Sequence, residues 1–319
     1  MLQAFALDRG LGFGFAAGIA AAFLIARLPL GFLVPSRTFN REKAAKSHFV
    51  RHLDSQCSQR GLEITDDQLH RAKNLSAFNH SKKKVLKINS NTVVKLGPNL
   101  DITEVDNIGF IHSHTTIPVP KILNVYEKDG CQYILMEFLD GEKLETVWPN
   151  LSPAEKGSIC LELREYLRQM REIPPPADFI GSVTGGPAVD RRSLGPIKGG
   201  PFSCEEDFNK WQLAQMRENT PLLNQEIYSA MHRTDHSIVF SHGDLGFHNI
   251  LVHNGRITAI LDWEYSGWYP EHWDFCKSLQ FLAGTDELYL FCKKAFGQQY
   301  LREYFMDTWF NREVKHGGW

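Results

Sequence analysis

Residues 241–264 read SHGDLGFHNILVHNGRITAILDWE and carry three side chains whose spacing suggests chemistry, Asp244, Asn249 and Asp262. Two runs rich in β-branched and aliphatic residues, NILV and RITAILD, flank Asn254-Gly255. Asn-Gly is the preferred pair for a tight type I′ turn, where both positions need φ > 0, so the stretch reads as a β-hairpin. With that turn, His253 pairs with Arg256 and Asn249 lies opposite Ile260. Asp262 then points to the face that Asn249 uses, as a diagonal neighbour about 7–8 Å away at the backbone. A carboxamide and a carboxylate so placed can share one hard cation, and Mg²⁺ is the natural one. Asp244 precedes them in a segment too rich in Gly and His for a strand. A loop carboxylate beside such a metal site suits phosphoryl transfer. One acid orients and deprotonates the attacking hydroxyl, while the other groups hold the metal that bridges nucleotide phosphates.

The order Asp244-x4-Asn249, then Asp262, resembles the protein-kinase pattern H-R-D-x4-N … D-F-G. The wording HGDLGFHNILV … AILDWE is similar to the aminoglycoside phosphotransferase family, with His-Gly-Asp for His-Arg-Asp and Asp262-Trp263-Glu264 for Asp-Phe-Gly. The resemblance runs from about Val85 to Asp274. It implies an α+β, two-lobed protein-kinase-like fold, with a β-rich N-lobe over 39–139 and a larger, mainly helical C-lobe over 140–319; a hydrophobic segment 1–38, read from composition, precedes them. It also implies ATP and Mg²⁺ as cofactors and a small-molecule hydroxyl as acceptor. On this reading Asp244 is the base, and Asn249 and Asp262 hold the metal.

Other elements must bring the phosphates to that hairpin. VLKI-NSN-TVVKL reads as a second hairpin, with Lys95 in its latter strand. By itself such a lysine also reads as an outward-facing charge; the resemblance assigns it to the nucleotide α- and β-phosphates. Glu104, Ile108 and Ile111 lie on one face of a helix. Kinase-like folds use a helix-borne Glu to hold the strand lysine. Glu104 fits better than Asp106, which lies about 200° around the helix. CQYILMEF is a strand leading to the lobe connector, where the resemblance assigns adenine contacts to the Glu137 carbonyl and Leu139 amide. Ser152, Pro153 and Glu155 open a helix with a capping box. Its stripe of Ile159, Leu163, Tyr166, Leu167 and Met170 is core, and it ends before Pro174-Pro175-Pro176. Residues 174–201 read as a long irregular loop, either an insertion or a wall of the acceptor site from which Phe179, Asp190, Arg191 and Arg192 reach a substrate. Residues 204–236 and 275–310 are helical in composition. No Gly-rich phosphate loop precedes Lys95; Ser81, Lys82 and Lys83 stand in its place. His242 reads as a residue that pins the loop of Asp244.

A chain of 319 residues, 43% hydrophobic, can fill two lobes, and its net charge of −2 implies no nucleic-acid partner. The six cysteines are widely spaced and read as free thiols. Residues 10–34 form an apolar run near the length of a membrane span, with Arg37, Arg41, Lys43 and Lys46 beyond it. A membrane anchor, an organellar targeting segment and a core helix are its three readings; as an anchor it would leave the kinase-like part cytoplasmic. Glu271, Asp274, Asp286 and Glu287 are candidate acidic walls for a cationic acceptor. The rival function is a nucleotide-binding pseudokinase or scaffold, which would not need Lys95, Asp244, Asn249 and Asp262 together. Oligomeric state is not legible.

Overall fold

The computed structural model describes residues 62–76, 83–192, 195–280 and 286–314. The segment 1–38, with its apolar run 10–34, lies outside the described residues, as do Ser81 and Lys82. Among the described residues no helix is long and apolar enough to cross a membrane.

Helix α1 (Asp66–Arg71) is opened by a Thr65 capping box with Gln68. An antiparallel sheet follows, made of β1 (Lys73–Asn74), β2 (Lys84–Lys87), β3 (Thr92–Gly97), β4 (Ile122–Lys128) and β5 (Cys131–Glu137), in the order β1-β2-β3-β5-β4. β3 is central, bonded to β2 and β5, and its β-branched residues suit a strand buried on both faces. The period of two sends Val94 to an outer cluster with Ile64, Leu86, Tyr133 and Leu135. Val93 faces the main core. Lys95 shares the face of Val93, so the pleat aims it at the rest of the molecule. Helix α2 (Thr103–His114) runs between β3 and β4 and buries Glu104, Val105, Ile108 and Ile111.

The remainder is mainly helical. β6 (Glu142–Lys143) precedes α3 (Pro153–Glu172), which has the expected Ser152 capping box and buries Ile159, Leu163, Leu167 and Met170. Residues 174–201 are not the irregular loop their composition suggests. They hold β7 (Gly181–Ser182) and a hairpin of β8 (Ala188–Arg192) and β9 (Gly195–Gly199). Burial of Ala188, Val189, Asp190 and Arg192 overrides the Gly- and Pro-rich local signal. Helices α4 (Glu205–Leu213) and α5 (Leu222–Met231) follow, then β10 (Ile238–Ser241), β11 (Ile250–His253), β12 (Arg256–Ile260) and β13 (Gly267–Pro270). Helices α6 (Trp273–Gln280), α7 (Asp286–Phe296) and α8 (Leu301–Glu313) close the chain. One core cluster runs from Val93, Ile108 and Ile134 through α3 to Phe247, Trp263, Phe275 and Phe291. The fold is α+β, an antiparallel β-rich part followed by a helical part, as expected for a protein-kinase-like chain.

Candidate active site

The β11–β12 hairpin turns at Asn254-Gly255, both at positive φ, and His253 pairs with Arg256. The expected register fails one step further on. Val252 pairs with Ile257 but Leu251 pairs with Ala259, so Thr258 is extra and the strand bulges. Ile250, not Asn249, is therefore opposite Ile260. The last bond between the two arms runs from the Leu261 N–H to the Asn249 carbonyl, at 2.8 Å. Asn249 ends a short 3₁₀ turn, Phe247–Asn249, and Asp262 leaves the ladder with φ 62° and ψ 60°. The left-handed region is costly for most residues but tolerated by Asp, and here it turns the carboxylate out of the strand direction.

Two groups of side chains result. In the first, Lys95 Nζ donates to Glu104 Oε2 at 2.8 Å and to Asp262 Oδ1 at 2.7 Å, and lies 3.4 Å from Glu264 Oε2. Oxygens of these three carboxylates gather within 4.8 Å of one another, and the cation among them is the lysine. Burial works against its charge, but Asp262, Glu104 and Glu264 outweigh that and hold the ammonium well above its usual pKa. Burial also drives Glu104, lifting its pKa to about 7 against the pull of Lys95. For the half-buried Asp262, desolvation works to raise the pKa, yet Lys95 holds its carboxyl below the usual range. Asp106, the competing helix acid, is buried without reaching Lys95 in any of these bonds. Lys83 reaches Glu264 Oε2 at 3.2 Å.

In the second group, Asp244 is 2% exposed on the loop between β10 and β11. Asn249 Nδ2 donates to the Asp244 carbonyl at 2.9 Å and to its carboxylate at 3.2 Å. Arg191 Nη1 stands 3.1 Å from Asp244 Oδ1, and His248 Nε2 lies 3.4 Å from Oδ2. His242 joins the two groups through the backbone. Its Nδ1 accepts from the Asp244 N–H at 3.2 Å, and its Nε2 donates to the Leu261 carbonyl, next to Asp262, at 3.0 Å. That tautomer is neutral, and burial lowers the pKa of the ring. His242 thus pins the loop, as expected. Asp274 completes the support by accepting the His242 and Gly243 N–H groups at 2.9 and 2.8 Å. Gly243 sits at φ +82°, and a Cβ there would come within 2.5 Å of the Tyr265 carbonyl oxygen, so only Gly fits.

Several sequence expectations change. Asp274 is buried under the Asp244 loop and is no wall for an acceptor. Asp286 and Glu287 open α7, where Glu287 pairs with Lys156. Asp190 and Arg192 do not reach outward: Arg192 pairs with Asp190 and Asp307, and Lys277 pairs with the same two acids, all buried. Phe179 packs on the main core. Only Arg191, of the four, reaches the site. Glu137 and Leu139 stand where β5 leaves the sheet, and Phe138 N–H between them bonds to the Asn91 carbonyl. Glu264 was not singled out from sequence, though Asp262-Trp263-Glu264 places it one residue past a buried Trp, on the same side as Asp262. Arg191 has no local signature, since a strand of a distant hairpin delivers it.

The fold and this constellation define a kinase-like chain. It matches the profile of the phosphotransferase enzyme family over residues 102–313 and belongs to that family. Over 161 residues it is 28% identical to an aminoglycoside 3'-phosphotransferase of Enterococcus faecalis, and 27% identical to one of Staphylococcus aureus. Each match covers 48% of this chain and 56% or 57% of the relative, so the chain spans little more than half the length of these relatives. The ADP-bound aminoglycoside phosphotransferase APH(2'')-Ib superposes with a TM-score of 0.54 at 15% identity, over 84% of this chain and 86% of that one. The streptomycin–ATP ternary complex of APH(2'')-IIa does so with a TM-score of 0.53 at 14% identity, over 78% and 87%. At such identities the likeness is one of fold.

Proposed function

We propose that this protein transfers the γ-phosphoryl group of ATP to a hydroxyl group of a small molecule. The observation that carries the reading is the pair of bonds from Lys95 to Glu104 and Asp262, made beside a buried Asp244 that Asn249 holds. Family membership supports it. The proposed domains are those read from sequence, an N-lobe over 39–139 and a C-lobe over 140–319.

Asp244 orients the acceptor hydroxyl and takes its proton. Lys95, steadied by Glu104, aligns the α- and β-phosphates. Glu137, through its carbonyl, and Leu139, through its amide, receive the adenine. Asn249 and Asp262 would hold Mg²⁺. The donor set fits: the Asn249 Nδ2 is committed to Asp244, which leaves Oδ1 for a cation, and Asp262 brings a hard carboxylate that is 36% exposed. Bound there, the metal would supply neutralisation of charge developing on the phosphates. Catalysis is then positioning and charge stabilisation, without a covalent enzyme intermediate.

The relatives' names make aminoglycosides the first acceptors to try, beside amino alcohols and sugars. The test is ADP formation from Mg·ATP with that panel, in the wild type and in Lys95→Ala. Acceptor-dependent turnover that Lys95→Ala abolishes is expected. A folded protein that binds Mg·ATP equally with and without Lys95 would overturn the nucleotide assignment.

A further inference from the structure

A second cluster of metal-binding side chains lies in the helical part, around a cavity of about 20 Å³. It is built from residues with no part in the site above. Glu205, the first residue of α4, is 4% exposed, and His236, just before β10, is 8% exposed. His272 immediately precedes α6. Glu205 Oε1 lies 2.6 Å from His236 Nδ1 and 3.8 Å from His272 Nε2. One ligand atom from each of the three falls within 4.8 Å of the other two.

The outer partners fix these atoms. The His236 N–H donates to Glu205 Oε2 at 3.0 Å, which leaves Oε1 to face both rings. His236 Nε2 faces Glu303 Oε1 at 3.4 Å, and His272 Nδ1 faces Cys276 Sγ at 3.7 Å. Each imidazole thus turns one nitrogen to Glu205 and the other to a supporting group, as metal-bound histidines do.

Protons alone leave this arrangement incomplete. One proton on His236 Nδ1 satisfies the 2.6 Å contact, but His272 Nε2 stays too far from the same oxygen for a hydrogen bond. A second proton, on His236 Nε2, meets Glu303 at 3.4 Å and leaves His272 as the ring without a close partner oxygen in Glu205. A cation with bonds of about 2.0–2.2 Å, seated among the three atoms, would replace the 2.6 Å hydrogen bond between Glu205 and His236, spread that pair, and engage all three ligands. We infer that Glu205, His236 and His272 form a binding site for one divalent transition metal of the zinc class. Imidazole and carboxylate donors select zinc over magnesium. The ion would tie α4 to the start of α6, and α6 carries the Asp274 that anchors the Asp244 loop.

The test uses the full chain, stripped with a chelator and kept in excess Mg²⁺. Zn²⁺ is titrated against a chromophoric competitor, with Co²⁺ absorption as a report of tetrahedral N/O ligation. One equivalent of Zn²⁺, with a rise in Tm, is expected in the wild type and in Asp262→Asn. His272→Ala should lose the site, and Glu303→Gln, which keeps all three ligands and tests the idea should His272→Ala not fold, should weaken it about 10–100-fold. Absence of stoichiometric binding by the wild type would overturn the inference. So would unchanged binding in folded His272→Ala and Glu303→Gln, or binding that depends on Asp262 instead.

Discussion

His242 is linked to Asp244 through its N–H and to the residue before Asp262 through the Leu261 carbonyl, and the environments of the two acids suit the different tasks proposed for them. Lys95 holds the Asp262 carboxyl below the usual range, and the side chain is partly open to solvent, as its proposed role of metal ligand requires. Asp244 is enclosed by Asn249, Arg191 and His248, and among the described residues no lysine pairs with it. Asn is a suitable probe at both positions, and at 262 it also tolerates the left-handed backbone that Ala would strain. Asp262→Asn is expected to weaken Mg·ATP binding and lower turnover together. Asp244→Asn should leave Mg·ATP binding nearly intact and lower kcat by about 10²–10⁴-fold. Titration calorimetry beside steady-state kinetics separates the two, and the opposite pattern would exchange the roles. These acids were legible because chemistry fixes their types and the hairpin fixes their spacing. Glu104 was separable from Asp106 because helical periodicity has only one answer for an acid on the face of Ile108 and Ile111. What misled was register: the bulge at Thr258 adds one residue that no apolar pattern announces. The left-handed backbone at Asp262 takes its side chain out of the ladder, and its carboxylate meets Lys95.

At the scale of elements, the β8–β9 hairpin is where the sequence said least. Its composition reads as loop because its strands are stabilised by what they pack on, not by their own propensity. Arg192 has no exposed side-chain surface and bonds to Asp190 and Asp307, while Lys277 pairs with both acids from α6. The network balances two cations against two anions and fastens the hairpin to α6 and α8. Removing one cation leaves buried carboxylate charge uncompensated. Arg192→Met, similar in length and apolar, is therefore expected to cost about 3–5 kcal/mol in a denaturant titration. Arg191→Met, one residue along on the side facing Asp244 and only partly buried, should cost clearly less while changing turnover. Equal losses would mean that the alternation of the strand does not divide structure from site. The helices were easier to read. The capping box at Ser152 and the stripe from Ile159 to Met170 are local statements of a helix and its buried face, and both appear as written.

Across the whole molecule, Lys95 is the point where the sheet, helix α2 and the segment after β12 meet. The contact is reinforced by Asn107 Nδ2, which donates to the Trp263 carbonyl at 2.6 Å, and by the Ile260 N–H, which donates to the Pro118 carbonyl at 2.9 Å. Burial raises the Glu104 pKa to about 7, so this hub titrates near neutrality. The sign follows from linkage. Between the ordinary carboxylate pKa of about 4.3 and the folded value, the folded state binds the Glu104 proton more tightly than the unfolded chain does. Its contribution to stability therefore falls as pH rises through that window and levels off above about 7. Glu104→Gln removes this titration. The stability of the wild type relative to the variant should decline from pH 5 to pH 7 and then flatten, as read by chemical denaturation at each pH. Nucleotide binding should move the other way. Only ionised Glu104 grips Lys95 fully, so wild-type affinity for Mg·ATP should rise several-fold from pH 6 to pH 8. The nucleotide's own titration contributes equally in both proteins, so the difference between wild type and variant isolates Glu104. Parallel pH profiles for the two would show that Lys95 is held by Asp262 and Glu264 alone, and that the buried glutamate is no part of the grip.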